Sequence, residues 1–231
     1  YDIENRTYQD CILQPKSSAN ERNCAIDMLK RLNCGKYIVI MDRGYDGFNM
    51  IKPKLTKDTR WDFEQFCNVK CRVVKFRINN SDTGRDEWEV LLTNLNRFEF
   101  SISRMNEMHH KRWDIETSFR ELKYALGGIN FHSKKDDFIK MELFAHFIMF
   151  NTVSRSIACV SAPQTNHKYP YAIDFKMACL IVRKHYRLHS RKPPDEMFIE
   201  ILAYTVPVRT ERSDKRNLKP KSAVWFVYRV A

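Results

Sequence analysis

Residues 104–128 read RMNEMHHKRWDIETSFRELKYALGG, and this stretch carries the strongest helix signal in the chain. At 100° per residue, Met108, Ile115, Phe119, Leu122 and Leu126 fall in one apolar sector, as a core-facing stripe should. His109, Arg112, Glu116 and Lys123 form a second line directly beside it. Asp114, Thr117 and Glu121 are expected to point to solvent. The spacing predicts a single helix ending at Gly127-Gly128. Two readings of the polar line stand side by side. Arg112 and Glu116, at i,i+4, form an ion-pair ladder that stabilises the helix. Alternatively, a cation–carboxylate–cation line at the margin of a buried face forms the edge of an active site.

Upstream, residues 36–41 (KYIVIM) are continuously apolar and rich in β-branched side chains, the pattern of a strand buried on both faces. The run ends in Asp42-Arg43-Gly44-Tyr45. A carboxylate at the C-terminal end of a central strand lies where open α/β sheets place their chemistry. Asp42 reads equally well as the N-cap of a helix over 47–51.

The remaining segments supply the frame. Residues 1–13 read as strand, turn and strand, with the turn at Asn5. Asn20 caps a helix to about Leu32, with Glu21 in its first turn and Cys24, Ile26, Met28 and Leu32 inward. Residues 71–78 and 87–95 alternate as strands around the turn-rich NNSDTGRD, and 91–94 could return to the main sheet. Residues 136–159 are apolar on several sides (Ile139, Leu143, Phe144, Phe147, Ile148, Phe150), which predicts a central, buried helix. A further helix over 174–189 sets Met177, Cys179, Leu180 and Ile181 against Arg183, Lys184 and Arg187. Pro193-Pro194-Asp195 opens another that ends before Pro207. A basic loop over 209–221 leads to a short apolar strand at 223–230.

Composition narrows the function class. The 231 residues hold 40 Lys+Arg against 28 Asp+Glu, a net charge of +12, with 43% hydrophobic content. Twelve cations against five acids fall from Arg183 onward. Such an excess points to a polyanionic partner, nucleic acid first. The longest apolar run, 143–150, is interrupted by His146 and is too short to span a bilayer. Seven cysteines in apolar segments read as reduced core thiols of a cytosolic protein. Cys67 and Cys71 form a weak C-x3-C zinc signal.

Asp42 and Glu116 are the two carboxylates best placed to meet. Converging carboxylates need a cation to stay ionised together, and hard oxygen donors select Mg²⁺ or Mn²⁺. A pair of such ions, about 3.5–4 Å apart, is the usual device for phosphodiester chemistry. Arg112 would hold a phosphate in bidentate fashion and Lys123 as a point charge.

The Asp42-Arg43-Gly44-Tyr45 run resembles the motif around the second catalytic aspartate of IS4-family DDE transposases. Arg112, Glu116 and Lys123 match that family's Tyr-Arg-Glu-Lys signature, with two, three and six residues between successive members and His109 in the tyrosine's place. Trp113, Ile115 and Phe119 fall where the family is apolar. The resemblance implies an α/β, RNase H-like mixed sheet flanked by helices in a single domain over 1–231. An antiparallel β insertion over 52–100 and a helical, basic C-terminal part over 129–231 complete it. It implies Asp42 and Glu116 as catalytic metal ligands for two Mg²⁺ or Mn²⁺ ions. Arg112, Lys123, His109, Arg43 and Trp113 become DNA contacts. The implied activity is DNA transposition: metal-dependent hydrolysis and strand transfer at insertion-sequence ends, by a synaptic homodimer. A bacterial, cytoplasmic protein is expected, associated with the nucleoid when bound to DNA.

The family's first catalytic aspartate belongs on a strand before Tyr1, and Asp10 cannot replace it from a third strand. The 73 residues between Asp42 and Glu116 are few for a family with this insertion. The sequence therefore sets the expectation of a truncated, impaired copy. The alternatives are a DNA-binding remnant that occupies transposon ends, another RNase H-like nuclease, or a basic scaffold protein.

Overall fold

The computed structural model describes residues 1–32, 37–41, 71–80, 85–127, 131–163, 168–188 and 193–209. They divide into two compact units, one of Asp10–Trp113 and one of Tyr1–Gln9 with Asp114–Ala231. Asp42, Arg43 and the segments 47–62 and 210–231 lie outside the described residues, as do the strand expected at 223–230 and Cys67.

In the unit Asp10–Trp113, helix α1 spans Glu21–Arg31. The Asn20 side chain accepts from the Asn23 N–H at 3.1 Å, which satisfies one donor of the open first turn. Glu21 opens the helix, and Lys30 and Arg31 close it, each at the end its charge favours. Arg31 then reaches back to Asp10 Oδ2 at 2.7 and 3.0 Å, and Cys24 is buried. Strands β1 (Arg72–Asn80) and β2 (Arg85–Thr93) pair antiparallel, with Val74 opposite Leu91 and Phe76 opposite Glu89. Alternation decides the faces. Val74 and Phe76 are buried with Met105 of helix α2 (Ile102–Lys111), bordered by Leu91, Leu95 and Phe100. Each such side chain contributes about 1.5–3 kcal/mol on full burial. Ser101 caps α2 by accepting from the Arg104 N–H at 3.3 Å.

Two expectations fail here. Residues 37–41 form no strand and are largely exposed, not buried on both faces. A β-rich run becomes a strand only where another strand offers it a ladder, and none is paired with it among the described residues. Residues 91–93 do not return to a main sheet; they belong to the hairpin, paired with β1.

In the other unit, residues 1–7 close on a single antiparallel bridge, Asp2 with Thr7. Asp2 Oδ1 accepts from the Asn5 N–H at 3.0 Å, and Arg6 takes a left-handed φ of 51°. The expected hairpin is thus reduced to one tight turn. Its continuation is held by a side chain instead. Asn151 accepts from the Tyr8 N–H and donates to the Tyr8 carbonyl, both at 2.8 Å, as a neighbouring strand would.

Helix α3 (Trp113–Tyr124) buries Ser118 and Leu122, and Gly127 leaves it with φ +72°. Helix α4 (Asp136–Ala158) reaches the core with Phe150 and Val153. Tyr8 stacks on Phe147 at 4.4 Å and meets the edge of Phe150 at 5.0 Å. Helix α5 (Phe175–Leu188) adds Phe175, Ala178, Cys179, Ile181 and Val182, and α6 (Asp195–Leu202) adds Met197 and Ile201. The Asp174 side chain accepts from the Met177 N–H at 3.1 Å and caps α5. Strands β3 (Tyr171–Ile173) and β4 (Thr205–Pro207) pair antiparallel across the two ends of this helix pair.

Three further expectations are corrected in this unit. α4 is not buried throughout: Phe138, Met141, Phe144 and Ile148 are exposed. Its N-terminal half runs beyond the core that its C-terminal half fills. Leu180 faces outward while Val182 is buried, because the inner arc of α5 is centred one residue further round than its polar residues suggested. Glu121 does not point to solvent; it is ion-paired and mostly covered.

The chain is thus mixed α/β, with small antiparallel sheets and helices on the described residues. No described helix is long and apolar enough to cross a membrane.

Candidate functional site

Residues 104–124 fall in two helices, α2 and α3, not one. At the junction the Arg112 N–H reaches back three residues to the His109 carbonyl at 3.1 Å, rather than four. The sequence provides for a break without proline or glycine. His109, His110 and Lys111 close α2, while Asp114 and Glu116 open α3. Cations at a helix C-terminus and acids at an N-terminus each meet the favourable end of a backbone dipole, so one helix ending and another starting here suits this sequence.

The break also divides the polar line between the units. His109, Arg112 and Trp113 belong to the unit Asp10–Trp113; Glu116 and Lys123 belong to the other. His109 is mostly covered. Its Nε2 lies 3.7 Å from Glu89 Oε1 on β2, and its ring meets the edge of Phe76 at 6.0 Å. Arg112 lays its guanidinium over the exposed ring of Trp113, 5.0 Å from the centroid. Flat cation–aromatic surfaces of this kind suit the stacking of a nucleic-acid base or the gripping of its phosphate.

On α3, Glu116 and Lys123 are both exposed. They lie seven residues apart, hence on one side of the helix and about 10 Å apart along its axis. Ser118 and Leu122 face inward and anchor the helix. Ser118, 0% exposed, donates to the Ile115 carbonyl at 2.7 Å and shares a hydrogen bond with Tyr8 Oη at 2.9 Å. Next to them Arg6 grips Glu121 with contacts of 3.0 and 2.9 Å to its two carboxylate oxygens. Burial pushes the Glu121 carboxyl above its ordinary range, against the pull of Arg6.

One further surface was not expected from the motifs. On the outward face of the hairpin, Val73, Lys75 and Arg77 stand opposite Leu92, Val90 and Trp88. Trp88 is 51% exposed, with Lys75 Nζ 4.4 Å and the Arg77 guanidinium 5.0 Å from its ring centre. The signal was present in the alternation: every second residue of β1 from Lys75 to Arg77 is cationic.

The donor set bears on a metal ion as follows. Glu116 offers an exposed carboxylate at the start of a helix, a hard oxygen donor suited to Mg²⁺ or Mn²⁺ rather than to a soft ion. Among the described residues no group of three or more His, Cys, Asp or Glu side chains could hold a metal ion.

Against known proteins, the family model described as the transposase DDE domain matches residues 1–152. No curated protein and no solved structure matches the chain.

Proposed function

Because the chain belongs to the transposase DDE domain family, we propose that it cuts and rejoins DNA at the ends of a mobile element, through metal-dependent hydrolysis and strand transfer. The observation that carries the proposal is the family match over 1–152, which spans both Asp42 and Glu116. The +12 net charge supports a polyanionic substrate. The separations among His109, Arg112, Glu116 and Lys123 favour the IS4 branch of the family and, with it, an RNase H-like core.

In this reading Asp42 and Glu116 hold the divalent ions. Bound there, Mg²⁺ or Mn²⁺ supplies activation of the attacking water or 3′-hydroxyl and stabilisation of the leaving oxygen. The chain's own side chains do the positioning. Arg112 holds a phosphate through its planar fork and is itself steadied against Trp113. Lys123 places a point charge two turns beyond Glu116, where the backbone continues. Arg43, beside Asp42, adds a third cation. A homodimer in which each copy holds one DNA end completes the proposal.

The test is a nicking and strand-transfer assay on duplexes that carry the element's own terminal repeats, with Mg²⁺ or Mn²⁺. Wild type is compared with Glu116→Gln. Loss of an outer-shell partner already costs a metal site about 10–100-fold, so loss of a ligand should reduce cleavage at least about 100-fold while DNA binding persists. Cleavage that ignores chelation, or that survives Glu116→Gln, would overturn the assignment. DNA-end binding without cleavage in any metal would leave the chain as an occupant of those ends.

A further inference from the structure

Helix α5 lies outside the residues that the family match covers, and its charge is unusual among the described helices. FKMACLIVRKHYRL contains four Lys/Arg and no Asp or Glu. The exposed sides of α4 and α3 mix both signs, as solvated faces ordinarily do. Helix α6 carries acids, but Glu200 is directed at Lys184, with its Oε1 3.3 Å from Nζ. Glu196 and Glu200 line a small cleft with Lys184, His185, Ile181 and Met197, on one flank of α5. The other flank is opposed by no acid on α5. There Lys176, Leu180, Arg183 and Arg187 follow one another at intervals of four, three and four, within about 60° of arc. All four are exposed.

We propose that the Lys176–Arg183–Arg187 line of α5 is a second DNA contact, which holds the phosphate backbone of duplex DNA without reading its sequence. Three properties support the choice of occupant. The line sets three cations around one apolar side chain, Leu180, with no acid on its own helix, so it complements a polyanion, and contacts to phosphate carry no sequence information. It is rigid, because the opposite face of the same helix (Phe175, Ala178, Cys179, Ile181, Val182) is fixed in the core. Its length also matches: from residue 176 to 187 the helix rises about 16 Å, and a DNA strand presents a phosphate every 3.4 Å or so of axis. Each cation can therefore meet a different phosphate. DNA as the polyanion rests on the transposase reading, but the surface itself does not depend on any catalytic step.

The experiment measures binding of the full chain to a duplex of arbitrary sequence, without divalent metal, across a range of salt. Neutralising one phosphate contact removes about 0.9 from the slope of log affinity against log salt. The triple variant Lys176→Gln/Arg183→Gln/Arg187→Gln should therefore lower the slope by about 2.7 and weaken binding at least tenfold at low salt. A control triple on α4 and its N-cap, Lys135→Gln/Lys140→Gln/Arg155→Gln, removes the same charge and should leave the slope within one unit of wild type. Arg183→Lys/Arg187→Lys retains the charges and should retain the slope, which guards against a folding artefact. An unchanged slope in the triple variant, or an equal fall in the α4 control, overturns the proposal. So does loss of binding to phosphatidylserine vesicles while DNA binding is kept. A failed cleavage assay leaves this result untouched, so the two ideas fail separately.

Discussion

Arg6 and Glu121, 115 residues apart in the chain, are joined by an ion pair in which one guanidinium nitrogen, Nη2, donates to both carboxylate oxygens, at 3.0 and 2.9 Å. The pair ties the N-terminal turn to α3, the helix that carries Glu116 and Lys123. The two partners titrate in ways that pull against each other. Burial lowers Arg6, but the charge and hydrogen bonds of Glu121 outweigh it and leave Arg6 raised. Burial raises Glu121 and is not fully offset by Arg6. The acid is the more covered side chain, 18% exposed against 43%, so its desolvation sets the sign.

A carboxyl whose value is raised in the folded state binds its proton more tightly there than in the unfolded chain. Its favourable contribution is complete below the unfolded value and is lost as pH rises through the folded one. Wild type should therefore lose stability relative to Glu121→Gln as pH rises from about 4.3 through the folded value, as read by urea denaturation. Arg6→Ala at neutral pH should cost about 1–3 kcal/mol, since it leaves a mostly covered carboxylate without its charged donor. A pH-independent difference between wild type and Glu121→Gln would show that burial does not govern this group.

The β1–β2 hairpin should respond to substitution by face. Phe76 is buried against Met105, and Phe76→Ala should destabilise the chain by about 3–5 kcal/mol. Trp88, on the other face of the same ladder, is half exposed, and Trp88→Ala should stay within about 1 kcal/mol. Thermal or urea unfolding of the two variants measures the contrast. Similar losses would mean that the outward face is covered by something.

Local signals were legible in the sequence, and partners were not. Asn20 with Glu21 announced α1, Asp195 announced α6, and the alternation around NNSDTGRD announced an antiparallel pair, because caps and period-two faces are properties of neighbouring residues. KYIVIM failed because nothing within six residues says which strand, if any, lies beside them. Glu121 failed for the same reason: its partner, Arg6, is far off in sequence, while its helical-wheel position looked like solvent. The break at Arg112 was hidden by an apolar stripe that runs through it unbroken, although the change from HHKR to WDIE contained the charge reversal that favours two helix ends. Of the site residues, the separations placed Glu116 and Lys123 on one side of α3. The same separations gave no warning that His109 would turn toward Glu89 and Phe76.

Cysteine reactivity offers an independent check on the core. Cys179 is buried in α5, and burial first, then the charge of Glu121, pushes its thiol up to about 12. The thiolate is the reactive form, so Cys179 should stay unmodified at pH 8 in native protein. Cys71 and Cys159 are exposed and should be alkylated by iodoacetamide first, as followed by peptide mass spectrometry. Their exposure also departs from a reading of all the thiols as core residues. Native-state labelling of Cys179 at the rate of Cys159 would mean that α5 is not packed as described.

Arg112 and Lys123 should differ in what they tolerate. Arg112 combines a charge with a plane laid over Trp113 at 5.0 Å, so Arg112→Lys preserves the charge but loses both the stacking and the two-pronged grip on a phosphate. Its salt slope for DNA binding should stay near wild type while cleavage falls about tenfold, since misplacing the substrate is costly even where affinity survives. Lys123 is exposed on α3, and in the proposed site it would serve only as a point charge. Lys123→Arg should therefore be nearly silent, and Lys123→Gln should reduce the salt slope by about 0.9. If Arg112→Lys cleaves as wild type does, Arg112 contributes charge alone, and the cation–aromatic pair at the α2–α3 junction is a structural contact rather than part of the DNA-end site.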